Sequence, residues 1–237
     1  MISRGRAWFL VSLLVMVMVS GCARNKDLER VNRQQAATIV SLNDELAKLN
    51  EQLEALSKAK GDLNKTRKDL ENKLKSELSE GDVSLSMQAR GLVLTVLDRI
   101  LFDSGKASVK ETAGQTLDKV ASILNKDTKT NLIYVEGHTD NEPIRHSGWK
   151  SNWELSTARA TEVIHYMIDS GSIDPNRLVA SGYGEFHPVT LNDSEENKQK
   201  NRRVEIIISP HKITDQKLTS SPSDVSKKAT GGEEVIK

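Results

Sequence analysis

The sequence lacks several things that would point to familiar chemistry. Its 237 residues hold one cysteine, Cys22, which excludes an intramolecular disulfide and a thiolate cluster for a metal. No G-x-S-x-G phrase occurs, so the nucleophile elbow of a serine hydrolase is missing. An excess of one charge is missing too. Once Arg4 and Arg6 are set aside with residues 1–22, 32 basic residues face 33 acidic ones, a balance that does not favour nucleic acid as a partner. The apolar run Ala7–Val19, interrupted only by Ser12, is short of the roughly 20 residues a bilayer helix needs. With 37% hydrophobic and 28% charged residues, the chain is polar for a fully packed one, so part of it should lie outside any core.

What is present begins with an address. Met1 to Arg6 carries two arginines and no acid, and the apolar run that follows has the layout of a secretory signal peptide. The run closes on Val19-Ser20-Gly21-Cys22, which resembles a bacterial lipobox. That resemblance implies cleavage after residue 21 and a diacylglycerol on the Cys22 thiol. Each buried methylene contributes roughly 0.8 kcal/mol, so two or three acyl chains anchor a protein to a membrane almost permanently. Residue 23 is alanine and not aspartate, which by the enterobacterial sorting pattern implies the cell outer membrane, with the chain facing the periplasm. Residues 22–26 then form a short linker.

From 27 to 79 the dominant pattern is a heptad. Leu28, Gln35, Leu42, Leu49, Leu56, Leu63 and Leu70 occupy d positions, with Ile39, Leu46, Leu53 and Leu74 at a. Asn32, Lys60 and Arg67 take the other a sites, weakening the seam while restricting register and partner number. About 50 helical residues span roughly 75 Å, a spacer's length. The expectation is a coiled-coil stalk that makes a homo-oligomer; a long single helix and one that folds back are the alternatives.

Glu80-Gly81-Asp82 breaks this helix, and the hydrophobic period changes. Alternation at Val83, Leu85 and Met87, a turn at Arg90-Gly91 and the run Leu92–Leu97 predict a hairpin. Ala113, Leu117, Val120, Ala121 and Leu124 mark a helix, and Leu132–Val135 a buried strand. Ser151 and Glu154 have capping-box spacing for a second helix with Ala160, Val163, Ile164 and Met167 inward, closed by Gly171. A strand at Arg177–Ala180, a polar loop through Asn201 and a last strand at Val204–Ile208 complete residues 80–210. The fold class is α/β, a sandwich of a mixed sheet with helices packed on it. Residues 211–237 have the composition of a disordered tail.

Four phrases stand in order along this domain: Ile100-Leu101-Phe102-Asp103-Ser104-Gly105, Gly137-His138-Thr139-Asp140, Leu155-Ser156-Thr157-Ala158-Arg159-Ala160 and Asn201-Arg202-Arg203-Val204-Glu205. Together they resemble the OmpA-like peptidoglycan-binding domain, and the stretch from Gly137 to Ala160 is most similar to the MotB variant of that family. The resemblance implies a non-enzymatic receptor for the diaminopimelate of the peptide stem, with Asp140 and Arg159 as its principal contacts. Asp103, Thr139, Asn201, Arg202 and Arg203 fall in the same family phrases as secondary ligand contacts.

The chemistry agrees with that assignment. Diaminopimelate ends in a zwitterion, which needs a carboxylate for its ammonium and a two-pronged cation for its carboxylate; a guanidinium suits the second task better than lysine. Asp140 follows a strand's carboxyl end, and Arg159 lies about 90° from the centre of its helix's apolar stripe, at the rim. Either Arg202 or Arg203 faces the ligand. A direct surface pair between Asp140 and Arg159 is the plain structural alternative. Asp103 is equally ordinary turn chemistry. His138 shares a strand face with Asp140, but with no third ligand in sight a satisfied structural histidine is the better reading. Trp149 and Trp153 are expected to pack and pin their loop. No cofactor is expected beyond the lipid. A motor role like that of MotB would need a membrane helix with an ionisable group, which residues 7–19 do not carry.

Overall fold

The computed structural model describes residues 4–145 and 148–212, with side chains described for 28–145 and 148–210. The side chains of the signal segment and Cys22, and the expected tail beyond 212, lie outside that set. The chain divides into two compact units, Met1–Leu56 and Ser57–Lys237.

Helix α1 runs from Arg4 to Lys73, as the lack of proline allows. It thus includes most of the segment read as signal peptide and linker as well as most of the heptad stretch 27–79, whose end forms a separate short helix. Within the first unit its apolar seam is solvent-facing: Leu28, Ile39, Leu42, Leu46, Leu49, Leu53 and Leu56 are all more than half exposed. Among the described residues no helix is long and apolar enough to cross a membrane.

The second unit begins well before residue 80. Leu63, Leu70 and Leu74, expected in the stalk seam, are buried in the domain core, so the last heptads of α1 belong to the globular unit. The reason is a local partner. Helix α4 (Glu111–Asp127) lies alongside, with Lys126 at 3.4 Å from Asp69 and Lys119 at 2.7 Å from Glu77 of the short helix α2 (Lys75–Ser79). Each buried leucine contributes roughly 1.5–3 kcal/mol there.

The hairpin forms as its alternation predicts, from β1 (Val83–Gln88) and β2 (Gly91–Leu97). After the four-residue helix α3 (Asp98–Leu101) and α4 come β3 (Asn131–His138), α5 (Asn152–Asp169), β4 (Leu178–Gly182), α6 (Glu195–Asn201) and β5 (Arg203–Lys212). The sheet is mixed, ordered β1-β2-β5-β3-β4, and only β3 and β4 are parallel, joined through α5. Ile133 and Val135 of β3, Val204, Ile206 and Ile208 of β5, and Leu92, Leu94 and Val96 of β2 form the core with the inner stripes of α4 and α5.

Three details differ from the sequence reading. Glu195–Asn201 is a helix and not a loop, started by the Ser194 hydroxyl, which accepts from the Asn197 amide. Strand β3 continues through Glu136-Gly137-His138, and β5 through Lys212. Arg177 precedes β4 and is buried, donating to the carbonyls of Thr128 and Asn131 where α4 hands over to β3.

Candidate functional site

Strand β3 delivers Asp140 to the end of the sheet, where neighbouring backbone fixes it. The Thr139 amide donates to the Gly184 carbonyl and its hydroxyl to the Asp140 carbonyl. Asp140 Oδ1 accepts from the Glu142 amide at 3.1 Å. Asn152, in the first turn of α5, donates to the carbonyl of Glu142 and the carboxylate of Glu185, closing the loop from the other side. Asp140 itself is 5% exposed.

Its ion-pair partner is Arg202, which joins α6 to β5 and spans Asp140 and Glu195 with two guanidinium nitrogens. Arg202 stays partly open to solvent. The surface pair between Asp140 and Arg159 is therefore not formed.

Arg159 is 3% exposed, not at a rim. Helix α3, unforeseen in the sequence, covers it: Asp98 Oδ1 lies 3.0 Å from Nη1, and Phe102 sits under the guanidinium at 5.1 Å. Arg159 Nε donates to the Lys106 carbonyl at 2.9 Å. The Asp98 contact is ionic without an aligned hydrogen bond to Oδ1. Burial pushes the Asp98 carboxyl up to about 6 against the pull of Arg159 and Arg202, while nearby Asp140 raises it further. Asp98, Arg159, Asp140 and Arg202 thus form one electrostatic cluster of two carboxylates and two guanidinia.

Residues 101–202 match the OmpA family. The chain carries an OmpA family domain. It is 37% identical over 141 residues to Motility protein B of Bacillus subtilis, covering 60% of this chain and 54% of that protein. It is 34% identical over 140 residues to the probable lipoprotein YiaD of Escherichia coli, covering 59% and 61%. The cell wall anchor of the T6SS from Pseudomonas aeruginosa superposes with a TM-score of 0.54 at 34% identity, covering 60% of this chain and 99% of that one. The chain spans about half the length of the first curated relatives it matches.

The remaining residues of the OmpA family domain singled out above have distinct placements. Asp103 is exposed and pairs with Lys106 at 3.2 Å and Lys110 at 3.6 Å; Lys106 foremost holds its carboxyl below the ordinary range. It reaches the cluster only through its loop, whose Lys106 carbonyl holds Arg159. Asn201 is fully buried, accepting from the amides of Val189 and Thr190 and donating to the Thr190 carbonyl and Asn192, so its amide organises that loop instead of facing a ligand. Arg203 points away from Asp140, donating to Glu205 at 2.7 Å and to the carbonyls of Asn201 and His187. Between the two arginines, Arg202 is the one at the cluster. Trp149 pins its loop through a 3.0 Å bond to the Gly105 carbonyl, whereas Trp153 is 46% exposed and stacks on Phe186.

Sequence reasoning missed Asp98, whose signal was a lone acid closing the apolar run of β2. It also missed the surroundings of His138. That ring is buried, stacked on Tyr183, and neither nitrogen is hydrogen-bonded to a protein group, so it is not a satisfied structural histidine. Burial first, then the charges of Arg203, His187 and Arg90, bring its pKa down to about 3, which keeps the imidazole neutral.

Proposed function

We propose that the OmpA family domain binds peptidoglycan without catalysis and that the N-terminal part tethers it to a membrane. The observation that carries this is the cluster itself: a buried carboxylate, Asp140, held by the one partly open guanidinium, Arg202, beside a second guanidinium, Arg159. A zwitterionic end such as that of diaminopimelate replaces the internal pair with two of its own, its ammonium on Asp140 and its carboxylate on Arg202 and Arg159. Thr139 and Asp103 shape the loops on either side. The exchange is favourable because the site is already desolvated, and charge-assisted hydrogen bonds there contribute roughly 1.5–3 kcal/mol each. The names of the relatives, a cell wall anchor and a motility protein among them, support the same reading.

Sacculus co-sedimentation of the full chain in detergent tests it. Asp140→Asn and Arg202→Gln, checked for folding by circular dichroism, should each weaken binding about tenfold or more, the loss of one such bond. Folded variants that sediment like wild type would remove these residues from the site. A wild-type chain that stays in solution would end the wall-binding reading.

The tether is proposed as an acylated Cys22 in the outer membrane, followed by the heptad helix; similarity to a probable lipoprotein supports it. Metabolic labelling with a fatty-acid precursor should mark wild type and not Cys22→Ser; equal labelling of both contradicts the anchor. The exposed seam from Leu28 to Leu56 is proposed to pair with the same seam of other copies, since a stripe of large apolar side chains in water favours association. Sedimentation equilibrium of a form beginning at Ala23 should give more than one chain per particle. Leu42→Lys with Leu49→Lys should return it to a monomer, and an unchanged mass would oppose the stalk.

A further inference from the structure

On the sheet face that carries neither α4 nor α5, β3 and β5 set Glu136 directly opposite Glu205, with His138 opposite Arg203 two residues on. Like charges placed directly across a ladder repel, so this pair requires a cation. Arg90, from the hairpin turn, supplies one by reaching both carboxylates. Beside them His138 is 3% exposed, and neither of its ring nitrogens is hydrogen-bonded to protein. A buried imidazole without a partner loses its hydration for nothing in return, which a bound ion would explain.

The geometry points to a divalent metal site of the zinc class formed by Glu136, His138 and Glu205, which the Arg90 guanidinium closes when no ion is bound. One donor atom from each of the three residues lies within 4.8 Å of the others, and His138 Nε2 is 4.0 Å from Glu136 Oε2. Coordination at about 2.0–2.2 Å draws the three together by roughly an ångström, within side-chain rotation. One imidazole nitrogen and two carboxylates suit Zn²⁺ or Co²⁺ better than Ca²⁺, which takes oxygen donors alone. The set is oriented from behind, because Arg203 donates to Glu205 and Tyr183 stacks on the His138 ring. An open cavity of about 390 Å³ leads to it, leaving room for water on the ion. Arg90 is 43% exposed at its side chain and sits on a turn, so it can leave into solvent. On binding, the guanidinium's charge is exchanged for that of the ion.

Arg203 remains as a positive neighbour, which limits affinity and makes Arg90 the decisive competitor. Equilibrium dialysis of the untagged full chain in detergent against Zn²⁺, with Co²⁺ absorption as a report of coordination geometry, tests the site. Wild type should bind one ion. Arg90→Gln should bind about tenfold more tightly, as expected from removing one like charge at close range. His138→Phe, which keeps the stack on Tyr183, and Glu136→Gln should lose the ion while circular dichroism and the thermal midpoint show a folded chain. If His138→Phe fails to fold, Glu136→Gln alone decides. Absence of binding in both wild type and Arg90→Gln would overturn the site, as would binding that survives both ligand substitutions.

Discussion

Replacing Arg159 with methionine is expected to destabilise the OmpA family domain by about 3–5 kcal/mol at pH 7, the range for removing one partner of a buried ion pair. Part of the loss comes from Asp98, which is 8% exposed and would lose the cation that favours its ionised form, and part from the Lys106 carbonyl and the Phe102 ring, which would lose their guanidinium partner. The double variant Asp98→Asn with Arg159→Met should recover most of it, since exchanging both charges for groups of similar volume is close to neutral. The pH dependence carries the sign. Folding raises the Asp98 carboxyl from 3.8 to about 6, so the folded chain binds this proton more tightly than the unfolded one. Its contribution is fully present below pH 3.8 and is lost as pH rises through about 6. Between pH 4 and pH 7 wild type should therefore lose about 2.4 kcal/mol relative to Asp98→Asn, at 1.36 kcal/mol per pK unit. The penalty of Arg159→Met should shrink correspondingly at pH 4, where Asp98 is protonated with or without its partner. Urea unfolding at both pH values measures this, and an equal penalty at the two would mean that the pair does not set the stability of the site.

This has a bearing on binding. Because Arg159 Nε and Nη1 are engaged by the Lys106 carbonyl and Asp98, an alanine at 159 disturbs the loop at Asp103 and helix α3 as well as any ligand contact. Loss of wall binding in that variant would not distinguish recognition from collapse. Arg202, partly exposed and outside the core, separates them.

Much of this domain was legible in the sequence because its elements are locally consistent. The period-two run of β1, the helical stripes of α4 and α5 and the Ser151 cap each agree with the tertiary packing they enter. The heptad is legible as a helix but not in its division of labour. Leu56 and Leu63 are both d positions, yet Leu56 is exposed and Leu63 belongs to the buried core of the second unit, a difference the repeat does not encode. The cluster was legible in part for the same reason. Asp140 and Arg202 belong to contiguous phrases, whereas the burial of Arg159 depends on Asp98, about sixty residues earlier, arriving from β2. Strand register also decided the fate of Arg203. It starts β5 on the face of Glu205 and His138, a choice between adjacent arginines that spacing alone leaves open.

A large loss from a single methyl group should come at Gly137. In register beside it on β4 is Gly182, and the two lie beneath the first turns of α5. A Cβ at Gly137 would stand 2.0 Å from the Ser156 carbonyl oxygen and 2.8 Å from its carbon; at Gly182 it would stand 2.1 Å from Thr157 Oγ1 and 2.5 Å from the Thr157 amide nitrogen. Rotamer changes cannot relieve a clash with helix backbone, so α5 must lift. Lifting is resisted at several points, because Ala160, Val163 and Met167 sit in the core and the Ser156 hydroxyl accepts from the Gly184 amide at 3.0 Å. Gly137→Ala should therefore cost about 3 kcal/mol or more, the upper end of the range for overpacking. The same movement carries Arg159 away from Asp98, so wall binding should fall with stability. Gly61→Ala is the matched control: the residue is exposed within α1 and an added Cβ meets nothing within 4 Å. There the same methyl should stabilise by about 0.5–1 kcal/mol through helix propensity. Urea midpoints of the two variants, in a form beginning at Ala23, should move in opposite directions. A Gly137→Ala chain as stable as wild type would show that α5 does not rest on the paired glycines.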